Sequence, residues 1–362
     1  MTRPRIVQHS FGSPGSGGPI GALNRILNSD LTNTFEFRHV AQPRPAGGIN
    51  LGLVREMSRQ MREFRPDLAH VRGLGNEGFH GVLAARMAGV PRILVSVHGS
   101  VGDLVYGAGG LRQQIVFRGL EPLTLRMASH VSTVCEDALR KPILRPVAQK
   151  IIGVVPNGVD PVTASASDRA ASRRSLAIGD DDIVLIIVAR LVRDKGHLDL
   201  LQALMTIESG PLDADAKVHL VVVGDGPDSA EISRQARLLT RFHVHLLGRR
   251  HDVAALLAAA DIAVMPSWHE NMSNALLEAM AAGLPVVVTS VGGNTEVLAQ
   301  GGGLLVPPSD ERALAEAIRR LLVDVALREA LGVEARTVFE SRYTTGHMTT
   351  RLSEIYNLIL ES

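Results

Sequence analysis

Two glutamates, Glu270 and Glu278, stand eight positions apart in the segment WHENMSNALLEAMAAGLPVVVTSVGGNTEVL. The run 272–282 has helical composition, with Leu276, Leu277 and Met280 on an inward side, and Gly283 and Pro285 end it. At its start the N–H groups of Met272, Ser273 and Asn274 are expected to be unpaired. Together with the helix dipole they would favour a phosphate. Glu278 lies one turn beyond Asn274 on the same face, within reach of a sugar hydroxyl beside that phosphate. Glu270, in the preceding loop, is expected to face a cleft. The plainer reading makes both glutamates solvated charges on an amphipathic helix, and for Glu278 alone it is the better one.

A second phosphate device is the stretch ARLVRDKGHLDL, in which Arg190 closes a strand and Lys195 precedes Gly196. A guanidinium fork and an ammonium point charge on one loop suit a diphosphate leaving group, although basic residues in such loops are common. A third is SFGSPGSGGPIGAL, residues 10–23, whose glycines would let the backbone approach an anion. It matches neither the nucleotide-triphosphate loop G-x-x-x-x-G-K nor a clean G-x-G-x-x-G, so nucleoside triphosphate and nicotinamide chemistry both lose support. The string His269-Glu270 is not followed by the second histidine of a zinc protease helix, because position 273 is serine. Asp180-x-Asp182 and Asp213-x-Asp215 both precede strands, on the side of a sheet away from the ligand loops, and read as solvated turns.

The elements that must hold these loops repeat one grammar: short aliphatic strand, glycine-bearing loop, amphipathic helix. In the first half, strands are expected at 5–9, 68–71, 93–98, 131–134 and 151–155, with helices at 51–64 and 78–88 among those between them. The second half places strands at 183–189, 219–223, 244–247, 262–265 and 286–289. Strands alternating with helices predict an α/β fold of two Rossmann-like, doubly wound parallel sheets. Residues 1–165 and 166–344 form the two domains, joined through a Pro/Gly-containing linker over 156–171, and helix 345–362 packs back on the first. Ligands of such sheets lie beyond the carboxyl ends of the strands, so the expected site is a cleft between the domains.

The totals agree with that reading. The chain has 362 residues, 45% apolar, 21% charged and 3% aromatic, which suits aliphatic cores in two domains. No apolar run is long enough to span a membrane, and the N-terminus lacks the apolar stretch of a secretory leader. A single cysteine, Cys135, excludes an intramolecular disulfide and fits a cytoplasmic protein. Residues 1–160 carry 19 Lys/Arg against 11 Asp/Glu, and the remainder 19 against 26. The basic half reads either as a peripheral contact with anionic lipid at the inner membrane face or as solvated helix faces. Its basic residues are not interleaved with stacking aromatics, which argues against nucleic acid.

The ordered motifs GGPIGAL, VSVHGS, VPNGVD, VARLVRDKG, VVVGDGPD, LLGRR, the glutamate segment and GGGLLVPPSDERALAEAI resemble the retaining glycosyltransferases of family 4, over nearly the whole chain. The resemblance implies the GT-B fold and transfer of a hexosyl unit from a nucleoside diphosphate sugar, with a UDP-sugar favoured. The acceptor would be a glycan, a lipid-linked or a small molecule, within bacterial polysaccharide or envelope glycan biosynthesis. By the same resemblance Glu270 would contact the donor sugar and Glu278 the ribose. Arg190 and Lys195 would hold the diphosphate with Gly17 and Gly18, and His98 would touch the transferred sugar. Gly226 and, in the base pocket, Arg249 would complete the donor site. Gly292, Gly293 and Glu296 also match the family. Cys135 stands where the family usually has serine, which predicts a neutral packing exchange. Trp268 and His269 are further departures that bear on sugar choice. No metal or other cofactor is implied. A non-hydrolysing sugar-nucleotide epimerase and a non-catalytic nucleotide-binding module share the architecture; the glutamate-pair helix argues against the first, and the intact set Glu270, His98 and Lys195 against the second.

Overall fold

The computed structural model describes residues 3–12, 18–42, 48–103, 110–163, 165–210 and 217–362. The chain divides into two compact units, Met1–Gly158 with Thr345–Ser362, and Val159–Thr344. The division falls at Gly158, ahead of the boundary expected at 165. Val159 is tied into the second unit by a bridge to Thr344 and by donating to the carbonyl of Tyr343 at 3.0 Å.

The first unit is a six-stranded sheet of β1 (Arg5–Phe11), β2 (Glu36–Gln42), β3 (Leu68–Arg72), β4 (Arg92–Val97), β5 (His130–Thr133) and β6 (Ile151–Val154). Its order is β2-β1-β3-β4-β5-β6, and every pair is parallel. The second unit repeats the plan with β7 (Ile183–Val188), β8 (Val218–Val223), β9 (Phe242–Leu246), β10 (Ile262–Met265), β11 (Val286–Thr289) and β12 (Gly303–Val306). Its order is β12-β11-β10-β7-β8-β9, again parallel throughout. Strands β3, β8, β10 and β11 are buried at every residue, as sheets covered on both faces require; β10 (IAVM) and β11 (VVVT) run almost wholly apolar, while β3 and β8 also bury His70, Arg72 and His219. The sequence reading missed β2 and β12. Both are edge strands, one carrying the polar alternation EFRHVAQ and the other four residues behind a run of glycines.

Each order reverses direction once, between β1 and β3 in the first unit and between β7 and β10 in the second. At such a reversal the flanking connections leave on opposite faces and open a crevice at the carboxyl ends. The helix Thr345–Glu361 closes one face of the first sheet, burying Met348, Leu352, Ile355, Tyr356 and Ile359 among Ile6, Leu68 and Leu94. At about 1.5–3 kcal/mol for each large apolar side chain, this packing accounts for the terminal helix returning to the first unit.

Burial holds several histidines neutral. Desolvation, with Arg72 next, lowers His9 to about 3. Desolvation, with Lys195 next, lowers His197 to about 4. Both side chains are buried, at 0% and 3% exposure. The unfolded chain has its ordinary value of 6.5 and takes up protons that the folded chain refuses. The stability these histidines contribute is therefore complete above pH 6.5 and is lost as pH falls from 6.5 towards 4. At pH 5 each costs about 2 kcal/mol relative to neutral pH. The expected result is a denaturant midpoint that falls steeply between pH 7 and pH 5. A midpoint flat over that interval would show these histidines protonated in the fold.

Candidate active site

The site grows from the β7/β10 reversal of the second unit. Beyond β7 the chain passes Arg190, which is exposed, and makes a single turn, Arg193–Lys195, into the helix His197–Glu208. Gly196 joins turn to helix at φ +69°, and a Cβ there would lie 2.1 Å from the carbonyl oxygen of Pro266. Only glycine lets the Lys195 loop press against the loop after β10. That second loop, Pro266–Ser273, carries Glu270. Lys195 Nζ donates to Glu270 Oε1, an ion pair with both side chains largely buried, and Ser267 Oγ donates to the same oxygen at 3.1 Å.

The double glycine after β11 serves this loop. Gly292 has φ +46°, and a Cβ on it would fall 1.8 Å from the carbonyl oxygen of Glu270. The Gly293 N–H donates to the carbonyl of Asn271 at 2.8 Å. The turn thus holds the backbone of Glu270 and Asn271, a tertiary reason for glycines that strand and helix alone do not need. Trp268 clamps the loop from the other side. Its N–H donates to Asp194 O at 2.8 Å, its indole Nε1 to the Asp199 carboxylate, and the Arg193 guanidinium lies 5.4 Å from its ring centroid.

The helix after Glu270 is Asn274–Ala281, so the expected start at 272 moves two residues along. Ser273 is its N-cap and accepts from the Leu276 N–H at 3.3 Å, while Met272 is buried ahead of it. The cap takes the Leu276 N–H, which leaves those of Ser273, Asn274 and Ala275 for an anion. Glu278 is partly buried, one turn after Asn274. Gly226 lies in the turn after β8, which is tied to the Arg190 loop by Leu191 N–H to Asp225 O at 2.9 Å. Arg249 is exposed beyond β9, next to Gly248, whose carbonyl accepts from Gly224 at 2.9 Å. Arg190, Lys195, Gly226, Arg249, Glu270, Ser273, Asn274 and Glu278 therefore share the carboxyl end of one sheet.

Sequence reasoning missed Asp194, His197, Asp199 and Ser267. Asp194 Oδ1, Asn274 Oδ1 and both ring nitrogens of His197 are buried without a protein partner. Unsatisfied polar atoms are rare in folded interiors, and each calls for a water, an ion, a ligand or a catalytic role to explain it. RDKGH was the only signal for two of these residues, and nothing local distinguishes Ser267 from any loop serine.

The other expected residues lie in the first unit. His98 follows β4, partly exposed, and burial followed by the nearby Arg72 lowers it to about 4. It is neutral at physiological pH and suited to hydrogen-bonding a hydroxyl rather than pairing with a charge. Gly18 opens the helix Gly18–Leu27. Gly17 lies outside the described residues, as do Asp213 and Asp215. Asp182 sits at the amino end of β7, where it accepts from the Gly179 N–H at 2.7 Å and contacts His219 Nε2 at 3.1 Å. Cys135 is fully buried ahead of the short helix Glu136–Leu139.

Residues 182–324 match the family model described as glycosyl transferases group 1, and residues 13–162 match that of glycosyltransferase family 4. The 2-deoxystreptamine glucosyltransferase of Streptomyces kanamyceticus is 31% identical over 257 residues, which cover 68% of this chain and 65% of the relative. A GDP-mannose-dependent monoacylated α-(1-6)-phosphatidylinositol monomannoside mannosyltransferase of Corynebacterium glutamicum is 30% identical over 284 residues, 75% of this chain and 71% of the relative. The crystal structure of Anabaena HepE with UDP and glucose superposes with a TM-score of 0.77 at 21% identity, covering 97% of this chain and 99% of that one. Among the described residues no helix is long and apolar enough to cross a membrane.

Proposed function

The chain belongs to family 4 of the glycosyltransferases, with the GT-B type of fold and relatives in bacterial glycan biosynthesis, and from that premise we propose a retaining, metal-independent hexosyl transfer. The donor is a nucleoside diphosphate sugar, taken to be a UDP-sugar, and the acceptor a glycan, lipid-linked or small molecule. The observation that carries the reading is the convergence of Arg190, the Lys195–Glu270 pair and the start of helix Asn274–Ala281 at one strand-end crevice.

In this mechanism the bond between the anomeric carbon and the β-phosphate oxygen breaks, and its electron pair stays on the phosphate. Arg190, Lys195 and the N–H groups of Ser273, Asn274 and Ala275 stabilise that growing negative charge, while Glu270 lies against the ring that becomes oxocarbenium-like. The acceptor hydroxyl attacks from the face the phosphate leaves, and the departing phosphate takes its proton, so configuration is retained. Glu278 holds the ribose and Arg249 flanks the base.

HepE was solved with UDP and glucose, which supports the uridine reading. The Corynebacterium relative is named for GDP-mannose, so the guanosine donor is the one to test against it. The experiment is a donor screen in excess EDTA, reading released nucleoside diphosphate and the anomeric proton coupling of the product. The expected result is release from a UDP-sugar at a rate unaffected by EDTA, with retained configuration. Activity lost in EDTA and restored by magnesium, or an inverted product, would overturn the mechanism.

A further inference from the structure

Arg72 is the last residue of β3, at the β1/β3 reversal of the first sheet, and is 5% exposed. Buried guanidinium groups are ordinarily paired with a carboxylate, because an uncompensated charge in a low-dielectric interior is costly. Arg72 has no such partner among the described residues. Nη2 donates to Gln8 Oε1 at 2.7 Å and lies 3.4 Å from His70 Nδ1. Nη1 has a 3.5 Å contact with the carbonyl of His9, and the neutral Tyr356 hydroxyl is a further hydrogen-bond neighbour of the guanidinium. Gln8 and His70 are themselves held by the Tyr356 hydroxyl at 2.8 and 2.7 Å. The shell is built of neutral groups, and among the described residues no carboxylate meets the fork.

The neighbouring imidazoles are held neutral beside this cation. His9, His39, His70 and His98 are each lowered by burial first and by Arg72 second. His9 is fully buried, with the Gln42 side chain as its one hydrogen-bonding neighbour among the described residues. In the register Arg72 pairs with Ser96, and His98 follows the end of β4 two residues beyond that partner, near enough for the Arg72 charge to lower its pKa. A cation, a neutral partly exposed imidazole and a buried one thus meet where a doubly wound sheet takes its ligand.

We propose that the first unit holds an anion-binding subsite at Arg72, reached past His98, for a carboxylate or phosphate carried by the acceptor. The fork geometry suits either group in two-point contact. The assignment to the acceptor rests on the glycosyltransferase reading, in which the donor diphosphate belongs to the second unit.

The test is calorimetric titration of malonate and, separately, inorganic phosphate, without donor. It uses the Arg190→Ala/Lys195→Ala background, which removes the two cations assigned to the donor diphosphate. Saturable binding of at least one anion is expected, and the tighter arm tells a carboxylate acceptor from a phosphorylated one. Arg72→Met should abolish that binding, and Arg72→Lys, which keeps charge but not the fork, should weaken it about tenfold. No saturable binding of either anion, or equal binding by Arg72→Met, overturns the proposal. Circular dichroism and melting of each variant report folding. Should Arg72→Met fail to fold, the Arg72 Nε–H resonance decides in its place: it must shift on adding the anion, and a stationary resonance overturns the subsite. Because no step uses a sugar nucleotide, failure here leaves the transferase reading standing, and failure of the donor screen leaves this result readable.

Discussion

Lys195→Ala is expected to lower kcat by about two to three orders of magnitude, the range seen when one preorganised group aimed at developing charge is removed. The ammonium pairs with Glu270 in the structure, and in the proposed reaction it would face the leaving diphosphate. The same substitution should also destabilise the fold. It leaves the Glu270 carboxylate, whose side chain is 14% exposed, with only Ser267 as a partner. Breaking a largely buried pair from one side costs roughly 3–5 kcal/mol at full burial, and somewhat less here. The two effects separate in a double-mutant cycle. Lys195→Ala with Glu270→Ala should recover much of the denaturation midpoint because no charge is orphaned, yet recover no turnover. A single variant with unchanged kcat would remove Lys195 from the reaction.

The glutamates should fail in different ways. Glu278 lies inside the helix, one turn from Asn274, and is assigned to the ribose, which is present in donor and product alike. Glu278→Gln should weaken donor and free nucleoside diphosphate together, a loss of uniform binding that appears mainly in KM. Glu270 precedes the helix and is assigned to the sugar being transferred. Glu270→Gln should spare nucleoside diphosphate affinity and lower kcat, because contacts to the reacting ring strengthen as charge develops. Nucleotide calorimetry and steady-state turnover on both variants check this. Lost nucleotide affinity with unchanged kcat in Glu270→Gln would reverse the two assignments.

Much of this arrangement is legible in the sequence wherever the physics is local. Aliphatic runs bounded by Gly and Pro place β10 and β11 at the residues expected, and apolar periodicity does the same for the helix Leu51–Phe64. Polar edge strands such as β2 escape because their alternation resembles a loop. Within the site, types and spacing single out Arg190, Lys195, Glu270 and Glu278, but not how they meet. Lys195 and Glu270 are 75 residues apart, and only the β7/β10 reversal makes them neighbours. The cap at Ser273 decides which amides remain free, a choice of one hydrogen bond that composition does not record. Arg72 looks like any basic strand end until Gln8 and Tyr356, 348 residues apart, close around it.

The central claim is that the second unit holds a nucleoside diphosphate at the carboxyl ends of β7 and β10. Calorimetric titration of UDP and GDP into the wild type and into Arg190→Ala/Lys195→Ala tests it most directly. One nucleotide should bind the wild type, UDP more tightly than GDP. The double variant should lose affinity by several kcal/mol at most, given about 1.5–3 kcal/mol for each charge-assisted bond removed. Equal affinity in the two proteins would contradict the site.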